Sequence, residues 1–222
     1  MKLQRVLGLI LATQLWAIAN AYGQGGYKAE TIGAAPASDV PAAILNSLDP
    51  QGARVANDQG ATLCEIWLRK TIPTTPNPNA SSDTLFGALA EGTFLGVLHF
   101  PNVTPDFRSQ TIKAGFYTLR YGLIPQDGNH MGVNPYRDAF VLSPVSADQA
   151  IDKVLSFDDL VKLSRQASGT PHPGFLVGAP LNGSTFPSVV QDDSGHWNLQ
   201  IKGHGPSGDL PLAITVVGKW EG

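Results

Sequence analysis

Apolar and polar residues alternate along residues 61–70, with Cys64, Ile66 and Leu68 on one face and Leu63, Glu65, Trp67 and Arg69 on the other. A period of two predicts a strand. It returns over 116–123, where Tyr117, Leu119, Tyr121 and Leu123 oppose Phe116, Thr118 and Arg120. Residues 94–100 are almost continuously apolar, which suits a strand covered on both faces. Shorter apolar runs at 139–142, 175–177, 187–190, 197–201 and 212–217 add further strands, and Asp192-Asp193-Ser194-Gly195 supplies a hairpin turn ahead of Trp197. Helical signals are few. Ser156 precedes Asp158 and Asp159, acids that complement the exposed amides of a first turn, and Gly169 stops the helix that follows. Pro41 opens a second, shorter helical stretch over 42–48, closed by a turn at 49–52.

About seven or eight strands with one or two short helices predict an all-β fold: a β-sandwich, jelly-roll or immunoglobulin-like, with a β-barrel as the alternative. Composition agrees, with 24 Gly and 17 Pro marking frequent turns, 42% hydrophobic residues and only 15% charged ones. Coiled coil, collagen and extended disorder are excluded on that basis. No internal repeat is present. Pro73, Pro76 and Pro78 place 71–83 in a surface loop.

The 15 Lys and Arg against 18 Asp and Glu form no basic block, so nucleic acid is not an expected partner. Lys2 and Arg5 precede a mostly apolar stretch from Val6 to Ile18, and Ala19-Asn20-Ala21 has the small-x-small pattern of a cleavage site. Residues 1–21 are therefore expected to be a signal peptide, residues 22–60 an extended segment with a short helix, and residues 61–222 a single β-sandwich domain. No later stretch approaches the roughly 20 apolar residues of a membrane-spanning helix. Periplasmic or secreted localisation follows as the expectation. Cys64 is the only cysteine, so the chain forms no internal disulfide. Its place in an alternating run marks it as a buried small hydrophobe.

Gly203-His204-Gly205-Pro206-Ser207-Gly208 matches G-x-G-x-x-G in letters but leads into a strand instead of a helix, which predicts a hairpin loop and no dinucleotide site. Chemistry concentrates instead between Arg120 and Asp138. Asp127, His130, Arg137 and Asp138 crowd one loop, the kind of element on which a rigid scaffold aims functional groups. His172 stands between Pro171 and Pro173, whose rings stiffen its backbone. The candidate ligand-binding residues are thus Arg120, Asp127, His130, Arg137, Asp138 and His172. Should Asp127, His130 and His172 converge, one carboxylate and two imidazoles suit a divalent metal. His99 is expected in the core with a backbone partner, while His196 and His204 are expected in solvent. Trp67 or Trp197, if exposed, offers a platform for a sugar ring.

The run Ile112-Lys-Ala-Gly-Phe-Tyr-Thr-Leu-Arg-Tyr resembles an A-G-x-Y-T-L element that enters a strand in a family of uncharacterised secreted bacterial β-sandwich proteins. The resemblance implies a bacterial, exported β-sandwich and carries no activity with it. The expected function is a binding or accessory module for a small molecule, sugar or protein, with a metal-dependent hydrolase built on the His/Asp loop, or a carbohydrate-binding module, as alternatives.

Overall fold

The computed structural model describes residues 26–76, 81–128, 132 and 134–220. The chain is β1 (Tyr27–Ile32), α1 (Ala42–Leu45), β2 (Gly52–Asn57), β3 (Thr62–Leu68), β4 (Phe94–Phe100), β5 (Thr104–Pro105), β6 (Thr111–Ile112), β7 (Gly115–Leu123), β8 (Asp138–Pro144), α2 (Phe157–Ser168), β9 (Phe175–Val177), β10 (Ser188–Gln191), β11 (Trp197–Gly205) and β12 (Gly208–Val217). The all-β expectation holds. A curled seven-stranded antiparallel sheet, β1-β2-β3-β4-β7-β8-β9, faces the three-stranded sheet β10-β11-β12. Strands β5 and β6 make a separate short pair.

Register follows from which face each strand buries. Tyr117, Leu119 and Tyr121 of β7 pair with Leu98, Gly96 and Phe140 in adjacent strands, so their rings and methyls share one face of the large sheet. They meet Leu199, Ile201, Leu212 and Ile214 of the small sheet in one core. Each such aliphatic side chain removed from water contributes about 1.5–3 kcal/mol. The two sheets also touch along their borders. Gly178, just after β9, bridges Ile214 of β12, and the Ala179 amide donates to the Ala213 carbonyl at 3.1 Å. At the far border Tyr27 of β1 meets Trp197 of β11 edge-on, ring centroids 5.3 Å apart.

Residues 22–60, expected as an extended segment with a short helix, contribute two strands to the large sheet, since β1 pairs with β2 and β2 with β3. Strand β1 (YKAETI) buries little and sits at a border, where backbone pairing rather than apolar content fixes the chain. The helix between them is only one turn long, and its Ile44 packs under the outer face of β3 and β4 with Trp67, Phe94 and Val97. Gly205 and Gly208 pair across the tip of the β11–β12 hairpin, as the reading of the glycine run anticipates.

Helix α2 joins β8 to β9 and lies on the outer face of the large sheet, chiefly over β8. Its ends are the expected ones. Ser156 Oγ accepts from the Asp159 amide at 3.2 Å, and Gly169 adopts φ 66°, a left-handed conformation that glycine takes without steric cost. Gly122 on β7 lets the helix approach, because a Cβ there would lie 3.0 Å from Val141 Cγ2 and 3.9 Å from Leu160 Cδ1.

Candidate functional site

Two of the six candidate residues are buried parts of the frame. Arg120 is only 1% exposed and points to the outer face of β7, where all five guanidinium N–H groups are used. Its Nε and Nη2 hold the Asp148 carboxylate at 2.6 and 2.8 Å, and its remaining donors reach the carbonyls of Gly92, Lys153 and Ala150 at 2.7–2.9 Å. Thr118 Oγ1 donates to the same carboxylate at 2.7 Å. Asp138, also buried, accepts from the amides of Leu85 and Phe86 and from the Tyr121 hydroxyl at 2.7–3.0 Å. Burial, then the neighbouring Asp138 charge, push the Tyr121 hydroxyl well above its ordinary range. These groups tie loops 144–155 and 83–86 to the sheet.

The other four divide. Arg137 is half-buried at the foot of its loop, where Nε donates to the Ile124 carbonyl at 2.9 Å, and it borders an open recess of about 270 Å³ with Asp83 and Tyr136. Asp127 is exposed. His130 lies outside the described residues, so the proposed trio with Asp127 and His172 does too. Among the described residues no three His, Cys, Asp or Glu side chains gather as a metal site. His172 lines a cavity of about 220 Å³ between α2 and the outer face of the sheet, and Pro125, the first residue of the candidate loop, lines it as well.

That cavity is built from apolar side chains. Leu123 and Val141 come from the sheet, Phe157, Leu160 and Val161 from α2, and Phe175 from β9. Phe157 is 40% exposed at the start of the helix. The polar or charged lining residues are Arg108, Arg165 and His172, and no acid is among them. Arg165 Nε donates to the Pro171 carbonyl at 2.6 Å, and Arg108 Nη1 donates to His172 Nδ1 at 3.5 Å. A guanidinium offers only donors, so Nδ1 acts as acceptor and the ring proton sits on Nε2.

The supporting loops are tightly held. Ser168 Oγ donates to the His172 carbonyl at 2.6 Å, Thr170 Oγ1 accepts from the His172 amide at 3.0 Å, and Gln110 Nε2 reaches the Pro173 carbonyl at 2.8 Å. The Pro-His-Pro backbone, expected to be stiff, is therefore also anchored by hydrogen bonds. Arg108 rides on a turn around the buried Asp106, whose oxygens accept from the amides of Arg108, Gln110 and Phe175 and from Gln110 Nε2. Burial outweighs those four bonds and holds the Asp106 carboxyl above its ordinary value.

Three further expectations need correcting. His99 pairs with a carboxylate instead of a backbone group: its Nδ1 lies 3.0 Å from Glu65 Oε2, and its ring stacks on Phe116 at 4.1 Å. Trp67 is buried, with Nε1 donating to the Gly33 carbonyl at 2.7 Å, and Trp197 is half-buried against Tyr27, so neither tryptophan presents an open face to a sugar. His196 is mostly covered, edge-on to Phe107, while His204 is half-exposed beside Asp209. Arg108, Arg165 and Phe157 were not among the candidates. No local pattern separates these two arginines from ordinary surface cations. No protein-family model matches the chain, and neither a curated protein nor a solved structure does.

Proposed function

We propose that the protein is an exported binding module that takes a small molecule into the cavity between α2 and the large sheet. Export rests on residues 1–21, with their basic start, apolar centre and Ala-Asn-Ala site. Among the described residues no helix is long and apolar enough to cross a membrane. The binding reading rests on one observation: an apolar cavity of about 220 Å³ whose polar groups converge at its rim. Concave, mostly apolar sites with a few placed polar groups are the usual form of a small-molecule site. At 220 Å³ this one is smaller than the roughly 300–1,000 Å³ typical of drug-sized ligands.

The test is a thermal-shift screen against small apolar compounds, run beside Val161→Trp. Val161 is half-buried on the helix face that lines the cavity, so tryptophan fills the space without cutting the sheet. A ligand at a hundred times its Kd stabilises by about 2.7 kcal/mol, or roughly 5–10 °C for a domain of this size. The shift is expected in the parent and absent in V161W. Equal shifts in both would remove the cavity as the site.

A further inference from the structure

We infer that the occupant of this cavity is a small apolar molecule ending in a carboxylate. The inference rests on the cavity being a binding site and adds the chemistry of what enters. Two observations carry it: the walls exclude polar bodies, and the rim gathers positive donors with no counter-charge of its own.

Phe157, Leu160, Val141 and Phe175 provide walls that reward the transfer of hydrocarbon from water and offer nothing to a hydroxyl or amide. The body of the ligand is therefore apolar. At one side of those walls, the two consecutive residues Pro171 and His172 gather two guanidinium groups, with Arg165 bonded to the Pro171 carbonyl and Arg108 to the His172 ring. Arginine forks match carboxylate geometry with paired N–H donors. His172 adds a third donor, because Arg108 occupies Nδ1 and leaves the proton on Nε2.

Arginine–carboxylate pairs among the described residues involve Arg54, Arg69 and Arg120. Arg108 and Arg165 have no such partner there. The nearest acid in sequence, Asp106, spends its oxygens on three amides and the Gln110 side chain and lies buried beneath its turn. The chain as a whole is acidic, with 18 Asp and Glu against 15 Lys and Arg, so a positive rim is a local feature and not a reflection of overall charge. A neutral apolar ligand would leave these donors unused, and a cation would be repelled. Hydrogen bonds on the backbone of His172 and Pro173 fix the loop against which Arg108 and Arg165 rest, which lowers the ordering cost of capture.

Isothermal titration calorimetry with octanoate, octanamide and acetate separates the parts of this inference. Octanoate is expected to bind at least about tenfold more tightly than octanamide, the return for hydrogen bonds to a charged group. Acetate, which lacks the apolar body, is expected to give no measurable heat. Arg108→Gln with Arg165→Gln should bring octanoate to the affinity of octanamide and leave octanamide unchanged. Arg165 is exposed, so R165Q alone keeps the comparison usable if the double variant melts early. Equal affinity of octanoate and octanamide for the parent protein, or octanoate binding unaltered by the substitutions, would overturn the carboxylate and leave the site standing. Failure of both compounds to bind would remove the site and the inference together.

Discussion

Asp148→Asn perturbs the most heavily bonded ion pair among the described residues. Both partners are 1% exposed, and the guanidinium has two donors on the carboxylate and three on backbone carbonyls. Replacing the carboxylate by an amide leaves those three carbonyls in place but removes the counter-charge and sets an N–H₂ against N–H donors. Breaking a buried pair from one side costs about 3–5 kcal/mol, because the remaining charge has neither partner nor water. For a domain of some 200 residues that is a fall in melting temperature of roughly 10 °C. Arg120→Met should cost at least as much. It frees the carbonyl of Lys153 and leaves Asp148 with the Thr118 hydroxyl, whereas Ala150 O retains a 3.0 Å bond from the Lys153 amide and Gly92 O a 3.4 Å bond from the Leu155 amide. Urea unfolding, followed by fluorescence of the four tryptophans, measures both variants. The double variant Arg120→Met/Asp148→Asn should lose less than the sum of the singles by about 2 kcal/mol or more, since no charge is then stranded. Two single variants each within about 1 kcal/mol of the parent, with unchanged slope, would refute the reasoning, because the pair would then have to be solvated.

Glu65 gives a pH dependence of known sign. Burial pushes its carboxyl up, but bonds from His99 and Arg54 outweigh burial and hold it below its ordinary value of 4.5. The stability it contributes is present above that value and is lost as pH falls through the depressed one. Glu65→Gln should therefore melt earlier than the parent at pH 6–7 and converge with it near pH 3, as read by calorimetry. Cys64 is fully buried, and burial pushes its thiol up to about 12, so iodoacetamide at pH 8 should leave the native protein unlabelled and label it in guanidinium. Mass spectrometry of exported protein should find a chain beginning near Tyr22 or Gln24, and recovery of Met1 in the exported fraction would count against the proposed export.

The elements legible in the sequence are those whose signals are local. Strand β7 shows its alternation, β4 its continuous apolar run, and α2 carries both caps in letters a few residues apart. Strands β1 and β2 carry too little apolar content to stand out, and they exist because β3 offers an edge to pair with. Arg120 and Asp138 read as ligand-binding candidates from the sequence, whereas in the fold they are buried and their partners lie 28 and 52–53 residues away, in loops with no pattern of their own. A buried ion pair and a functional one look alike until the chain is folded. His172 could be found because proline acts on its neighbours directly. Arg108 could not, because what distinguishes it is a guanidinium placed beside the cavity and bonded to no carboxylate among the described residues, a property of three-dimensional space.

The connection from β8 to β9 runs through α2, although adjacent antiparallel strands need only a short turn to join them. The sheet therefore closes its ladder without the helix, and α2 is an insertion laid on the large sheet's outer face. Phe157, Leu160, Val161 and Arg165 all belong to that segment, so four of the fifteen residues that line the cavity, one guanidinium among them, come from a single helix between Ser156 and Gly169. On the proposed binding reading, exchanging the cavity-facing residues of this one helix would alter which ligand is taken and leave the strand pairing alone.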